Sequence, residues 1–127
     1  MSEMYVIEIM KEAVHDLPEE NIKGIFLPRT EFSSSSVGVI EPYQTQTKHF
    51  HNRVGDGVEI VFIYSGKCVL LTEDGESVEY DTDKDGPVFL SIPTKTIAHI
   101  KNTGASRVFF FSVFAPGLVP EEINFLN

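Results

Sequence analysis

The chain has 127 residues, a length that fits one domain, taken as residues 1–127, with a modest core. Nineteen acidic against ten basic residues leave a formal charge of −9, which repels phosphate backbones and anionic lipid and argues against nucleic acid or a membrane as partner. An apolar fraction of 42% is that of a folded globular chain and argues against disorder.

The first ten residues, MSEMYVIEIM, lack the basic start of a targeting segment, and no later run approaches the roughly 18 apolar residues of a membrane span. Short apolar and β-branched runs then recur between turn residues, the pattern of an antiparallel sandwich or barrel. The runs predict strands over Val6–Ile9, Ile22–Leu27, Val37–Ile40, Thr45–His51, Glu59–Tyr64, Lys67–Thr72, Ser77–Tyr80, Val88–Ile92, Ile97–Lys101 and Arg107–Phe114. Ser33–Ser36 reads as a turn. Ser65-Gly66 and Asp74-Gly75 read as breaks that fold three of these strands into a meander. Pro120-Glu121-Glu122 reads as the start of a short C-terminal helical turn, with proline in the first turn and acidic residues at the positive end of the dipole. Strands without strand–helix alternation make an all-β sandwich or closed barrel the expected class.

Cys68 is the single cysteine, so no intramolecular disulfide can form, and a reducing compartment, the cytoplasm, is expected. In an apolar strand its thiol reads as a small core group. Phe109-Phe110-Phe111 occupies both faces of one strand, so part of that aromatic surface must lie against something other than the interior. A homodimer interface is expected there.

The sharpest local feature is His49-Phe50-His51. On a strand, residues two apart share a face, so both imidazoles can offer a ring nitrogen to one cation, with Thr45 and Thr47 expected on the same side. The tripeptide alone reads rather as the exposed polar face of an edge strand, and the remaining groups are what favour a ligand pair. A carboxylate, Glu59, opens the next apolar run, and a further histidine, His99, lies on another predicted strand. These four groups could converge inside one barrel. His15, outside any such grouping, reads as a surface residue. Lys48, Arg53, Lys95 and Lys101 are the cations near these groups, and Tyr43, Tyr64 and Gln46 could line a pocket mouth, with nothing in the sequence to rank them.

His49-x-His51, Glu59 and, after six residues, Gly66 resemble the first motif of the cupin superfamily; Gly86, Pro93, His99 and Asn102 resemble its second. The likeness runs over about residues 37–116 and singles out no subfamily. It implies a double-stranded β-helix, the jelly-roll barrel, with one divalent metal ion (Fe, Mn, Zn or Ni) held by His49, His51, Glu59 and His99. Two departures stand out. Seven residues separate His51 from Glu59 where the family usually has three or four, which leaves Asp56 as an alternative carboxylate. Around His99 the spacing is shifted by one residue, and a one-residue slip reverses the face a strand residue occupies.

The leading functional expectation is a metal-dependent enzyme acting on a small molecule, with open coordination positions for substrate. Oxygenase, isomerase, lyase and decarboxylase chemistry all fit. The alternatives are a metal-free isomerase or epimerase of nucleotide-linked sugars, with histidines as acid and base, and a non-catalytic cupin that binds a small ligand.

Overall fold

The computed structural model describes residues 15–17, 22–27, 30–47, 49–51, 57–93, 96–117 and 122–125. Its elements are β1 (His15–Leu17), β2 (Ile22–Phe26), β3 (Ser34–Ile40), β4 (His49–His51), β5 (Val58–Ser65), β6 (Lys67–Thr72), β7 (Ser77–Asp81), α1 (Thr82–Asp85), β8 (Val88–Pro93), β9 (Ala98–Asn102), β10 (Val108–Ala115) and β11 (Ile123–Phe125). They form a six-stranded sheet in the order β1-β2-β3-β10-β5-β8 and a five-stranded sheet in the order β11-β4-β9-β6-β7. Every pairing is antiparallel.

The period-two alternation of the strands builds the core between the sheets. In β10, Val108, Phe110, Ser112 and Phe114 are buried while the residues between them are only half-buried. Across the register, β3 answers with Ile40, Gly38, Ser36 and Ser34, and β5 answers Phe110, Ser112 and Phe114 with Ile63, Val61 and Glu59. Cys68 and Ile100 from the other sheet close the same cluster, so the two sheets pack face to face over one apolar centre. Cys68 is thus a core residue, as its setting in the sequence suggested. Gly38 is needed for close approach: a Cβ there would overlap the Phe110 ring.

Asn102, fully buried, fastens the end of this core. Its amide N–H groups are shared among the carbonyls of Ile40, Glu41 and Ser106 at 3.0, 3.1 and 2.9 Å, and its Oδ1 accepts from Gly104 N–H at 2.9 Å. One side chain thereby ties β9 to the end of β3 and to the turn before β10.

Several sequence expectations are corrected. Ser34–Ser36 is the first half of β3 rather than a turn, because these serines pair along β10 and Ser34 faces inward. The meander breaks at Gly66: β5 belongs to one sheet and β6 to the other. Gly66 has φ +126°, a conformation open to glycine, and Thr82 fixes the crossing, its Oγ1 accepting from the Gly66 N–H at 2.8 Å. β6 and β7 do form a hairpin, closed by Thr72 N–H to Glu76 O at 3.1 Å. The stretch Thr82–Asp85 turns helical, with Asp81 Oδ1 capping Asp83 N–H at 3.0 Å. The predicted strand Val6–Ile9 and most of the expected C-terminal helical turn lie outside the described residues; β11 follows directly after Glu122. Among the described residues no helix is long and apolar enough to cross a membrane.

Candidate functional site

β4 is an inner strand, hydrogen-bonded to β11 on one side and β9 on the other. His51, Phe50 and His49 pair with Ile123, Asn124 and Phe125, and His49 pairs with Ala98 of β9. The side chains of His49 and His51 lie outside those described, as do Lys48, Arg53, Lys95 and Asp56.

The approach to β4 contains a bulge. Thr45 bridges Lys101, and Gln46 N–H donates to Ile100 O at 2.8 Å, whereas His49 pairs with Ala98. Three steps from Gln46 to His49 are thus matched by two on β9, and one extra residue inverts the alternation. Thr45 consequently stands opposite exposed Lys101 rather than on the side of position 49, contrary to the parity read from the sequence. Gln46, opposite buried Ile100, joins the inner side instead, and it is only 8% exposed.

Glu59 shares a face of β5 with buried Val61 and Ile63, so the carboxylate belongs to the barrel interior and not to an exposed strand start. With Gln46, Val61, Thr96, Ala98 and His99 it helps wall a cavity with about 20 Å³ of free space, enough for one water-sized body. Ala98, the register partner of His49, is part of that wall. His99 pairs with Leu71, on the side of β9 that carries exposed Lys101 and opposite to Ala98 and Ile100. It nevertheless contributes to the cavity wall, and its Nδ1 is shut away from solvent. Among the described residues no three histidine, cysteine or acidic side chains gather closely enough to hold a metal.

The other sequence candidates fall elsewhere. Tyr43 is exposed, at φ 61°. Tyr64 lies on the outward face of β5, its ring 6.0 Å from Phe62 and 5.9 Å from Phe109, and burial pushes its phenol up. Burial likewise pushes the Cys68 thiol up to about 11, so it stays protonated and inert at neutral pH.

An uncharacterized conserved protein with a double-stranded β-helix domain from Klebsiella pneumoniae superposes with a TM-score of 0.75 at 16% identity, over 98% of this chain and 99% of that one. An RmlC-like cupin family protein from Methanocaldococcus jannaschii gives 0.67 at 21% identity, over 91% and 92%. The fold is that of the cupins. The Staphylococcus aureus capsular polysaccharide assembling protein CapF also matches, with a TM-score of 0.66 at 21% identity over 85% of this chain. The chain spans only about a third of CapF, 32% of its length. No protein-family model and no curated sequence matches the chain. Within the cupin barrel, the cavity walled by Glu59 lies where the two sheets face each other, alongside the strand that carries His49 and His51.

Proposed function

We propose that the barrel holds one divalent metal ion and uses it on a small molecule, with His49, His51 and Glu59 as the first ligands. The observation that carries the reading is the inward Glu59 beside a cavity of cation size, whose wall includes Ala98, the register partner of His49. A carboxylate and imidazoles are the donor set of Fe, Mn, Zn and Ni sites, so the residues fit the group. His99 enters as the fourth ligand because it walls the same cavity, although its register sets it on the other side of β9.

A cation held by His49, His51 and Glu59 would supply Lewis-acid polarisation to a substrate oxygen. The chain's own contributions follow from the cavity. Glu59 supplies the negative charge that retains a cation. Val61, Ile92, Phe110 and Leu70 exclude bulk water, which strengthens every charge interaction inside. The test is thermal. A metal that binds only the folded chain at a hundred times its dissociation constant adds about 2.7 kcal/mol. Metal-stripped protein should therefore melt several degrees higher on addition of zinc or manganese, and Glu59→Ala should not. Equal melting with and without metal in the wild type contradicts the reading and leaves proton transfer by histidine as the alternative.

We also propose that a second copy of the chain covers the outward face of β5, β8 and β10. Ile60, Phe62, Tyr64, Phe89, Phe109 and Phe111 all stand on that side and none is charged, in a chain with nineteen acidic and ten basic residues. Phe89 is 72% exposed and stacks on Phe62 at 4.5 Å, and Ile60 is 40% exposed. The edge strand β8 reads VFLSIP, without a charge, whereas the edge strand β7 carries Glu79 and Asp81. A two-fold axis sets this neutral patch against itself and keeps the −9 of each copy away from the contact.

A further inference from the structure

Arg107 and Glu41 stand one step beyond Val108 and Ile40, the last register pair of β10 and β3. Their ion pair uses a single nitrogen of the guanidinium: Arg107 Nε donates to both carboxylate oxygens of Glu41, at 3.1 Å each. A guanidinium has five N–H donors, and the other four sit on the two Nη nitrogens. Among the described residues no group accepts from them. Glu41 thus orients the guanidinium and leaves free the edge formed by its Nη pair, whose two parallel N–H groups match the two oxygens of a carboxylate. Arg107 lines an open cleft of about 400 Å³ at the end of β5, far larger than the space of about 20 Å³ beside Glu59. Ser65 and Ser106 bring hydroxyls to this cleft, and Pro42 and Phe109 bring apolar surface.

We infer that the Arg107 cleft binds a small organic monocarboxylate, its oxygens on the Nη edge and its apolar body against Pro42 and Phe109. Charge selects among anions. Within the cleft Arg107 and Glu41 cancel. In the adjoining notch, which shares Ala105 and Ser106, one cation, Lys67, stands with two carboxylates, Asp81 and Asp83. Among these residues nothing offsets a second negative charge, and the chain carries −9 overall, so phosphates and dicarboxylates are disfavoured. A single carboxylate gains from geometry instead. The Arg107 side chain is 48% exposed but already held by Glu41, so binding costs it less conformational freedom. The site stands apart from the metal reading, since neither Arg107 nor Glu41 walls the barrel cavity. It borders the neutral face assigned above to a second copy, because Phe109 belongs to both; an acidic side chain of that copy is the competing occupant.

The experiment uses the full-length protein and two probes of one shape, benzoate and benzamide, at low salt, where screening is weakest. The Arg107 Nε–H resonance, assigned by its loss in Arg107→Gln, is followed by ¹⁵N–¹H spectroscopy with the backbone N–H groups of Ser65 and Ser106. Benzoate should move all three saturably, and benzamide should not. Arg107→Gln, an exposed change that should leave the fold intact, should bind benzoate at least about tenfold more weakly. Arg107→Lys keeps the charge without the fork and should bind several-fold more weakly than wild type. No saturable shift with benzoate, equal binding by Arg107→Gln, or equal shifts with benzamide overturns the inference. Benzoate inert toward wild type, together with a dimer lost in Arg107→Gln, overturns it too and gives the fork to the second copy.

Discussion

Replacing Asn102 by alanine should cost this barrel more than deleting a core methyl group. Four contacts disappear together: the amide N–H groups to Ile40 O, Glu41 O and Ser106 O, and Oδ1 from Gly104 N–H. At about 1 kcal/mol net for each hydrogen bond, the direct loss is about 4 kcal/mol. The side chain is fully buried, so the carbonyls and the N–H it leaves behind lack ready access to water, and a void of several atoms adds to the loss. Against a total stability of about 6–19 kcal/mol expected for this length, Asn102→Ala should lie at the edge of folding at 37 °C. Asn102→Asp retains the acceptor for Gly104 but turns a carboxylate oxygen toward three carbonyls, and should fare no better. Urea unfolding followed by circular dichroism gives the numbers. A loss below about 1 kcal/mol for Asn102→Ala would refute the idea that this side chain joins β9 to the end of β3.

The remaining predictions concern the interior and the outer face. Ser112 is 1% exposed and, among the described residues, its Oγ has no hydrogen-bond partner; Ser112→Ala should therefore stabilise the fold by about 1 kcal/mol and raise Tm by about 3 °C, and a lower Tm would show that the hydroxyl has a partner. Because burial pushes the Cys68 thiol up to about 11, it should react with a disulfide reagent at pH 8 only after unfolding. The sign of its pH effect follows: the unfolded thiol ionises above about 8.5 while the folded one does not, so its contribution to stability is present below that pH and is lost as pH rises toward 11. Cys68→Ala should lack that part of the fall in urea midpoint between pH 8 and 11. Phe89→Glu places a charge on the neutral face and should yield monomer by light scattering with the Tm nearly unchanged, whereas an unaltered dimer would place the contact elsewhere.

Much of the barrel was legible because the strands obey a strict period of two. β6 begins and ends where its apolar run does, and β10 extends one residue past the predicted strand at the end that carries Phe114. Phe110 turns inward while Phe109 and Phe111 do not, as a strand with aromatics on both faces requires. Asn102 stood out in the second motif, and its buried hydrogen bonds show why asparagine serves there. What the sequence did not reveal depends on local irregularities. The extra residue between Gln46 and His49 inverts parity without altering composition, so Gln46 could not be ranked above Tyr43 or Tyr64, and Thr45 was set on the wrong side. The crossing at Gly66 looks like a hairpin turn in sequence, because the apolar runs on either side are alike whether they pair with each other or face each other across the core. The serines of β3 are poor strand formers, held by their ladder with β10 and by the burial of Ser34. For His99, alternation along β9 was open until the pairing with Leu71 set its side.

The metal reading is tested most directly by elemental analysis of the untagged protein and of His49→Ala, His51→Ala, Glu59→Ala and His99→Ala, each checked for folding by circular dichroism. The wild type should carry about one divalent ion per chain, and the first three variants should lose most of it. A His99→Ala protein with full metal content would remove that residue and leave a three-ligand centre. Wild-type protein with no metal, before or after incubation with Fe, Mn, Zn or Ni, would contradict the central claim outright.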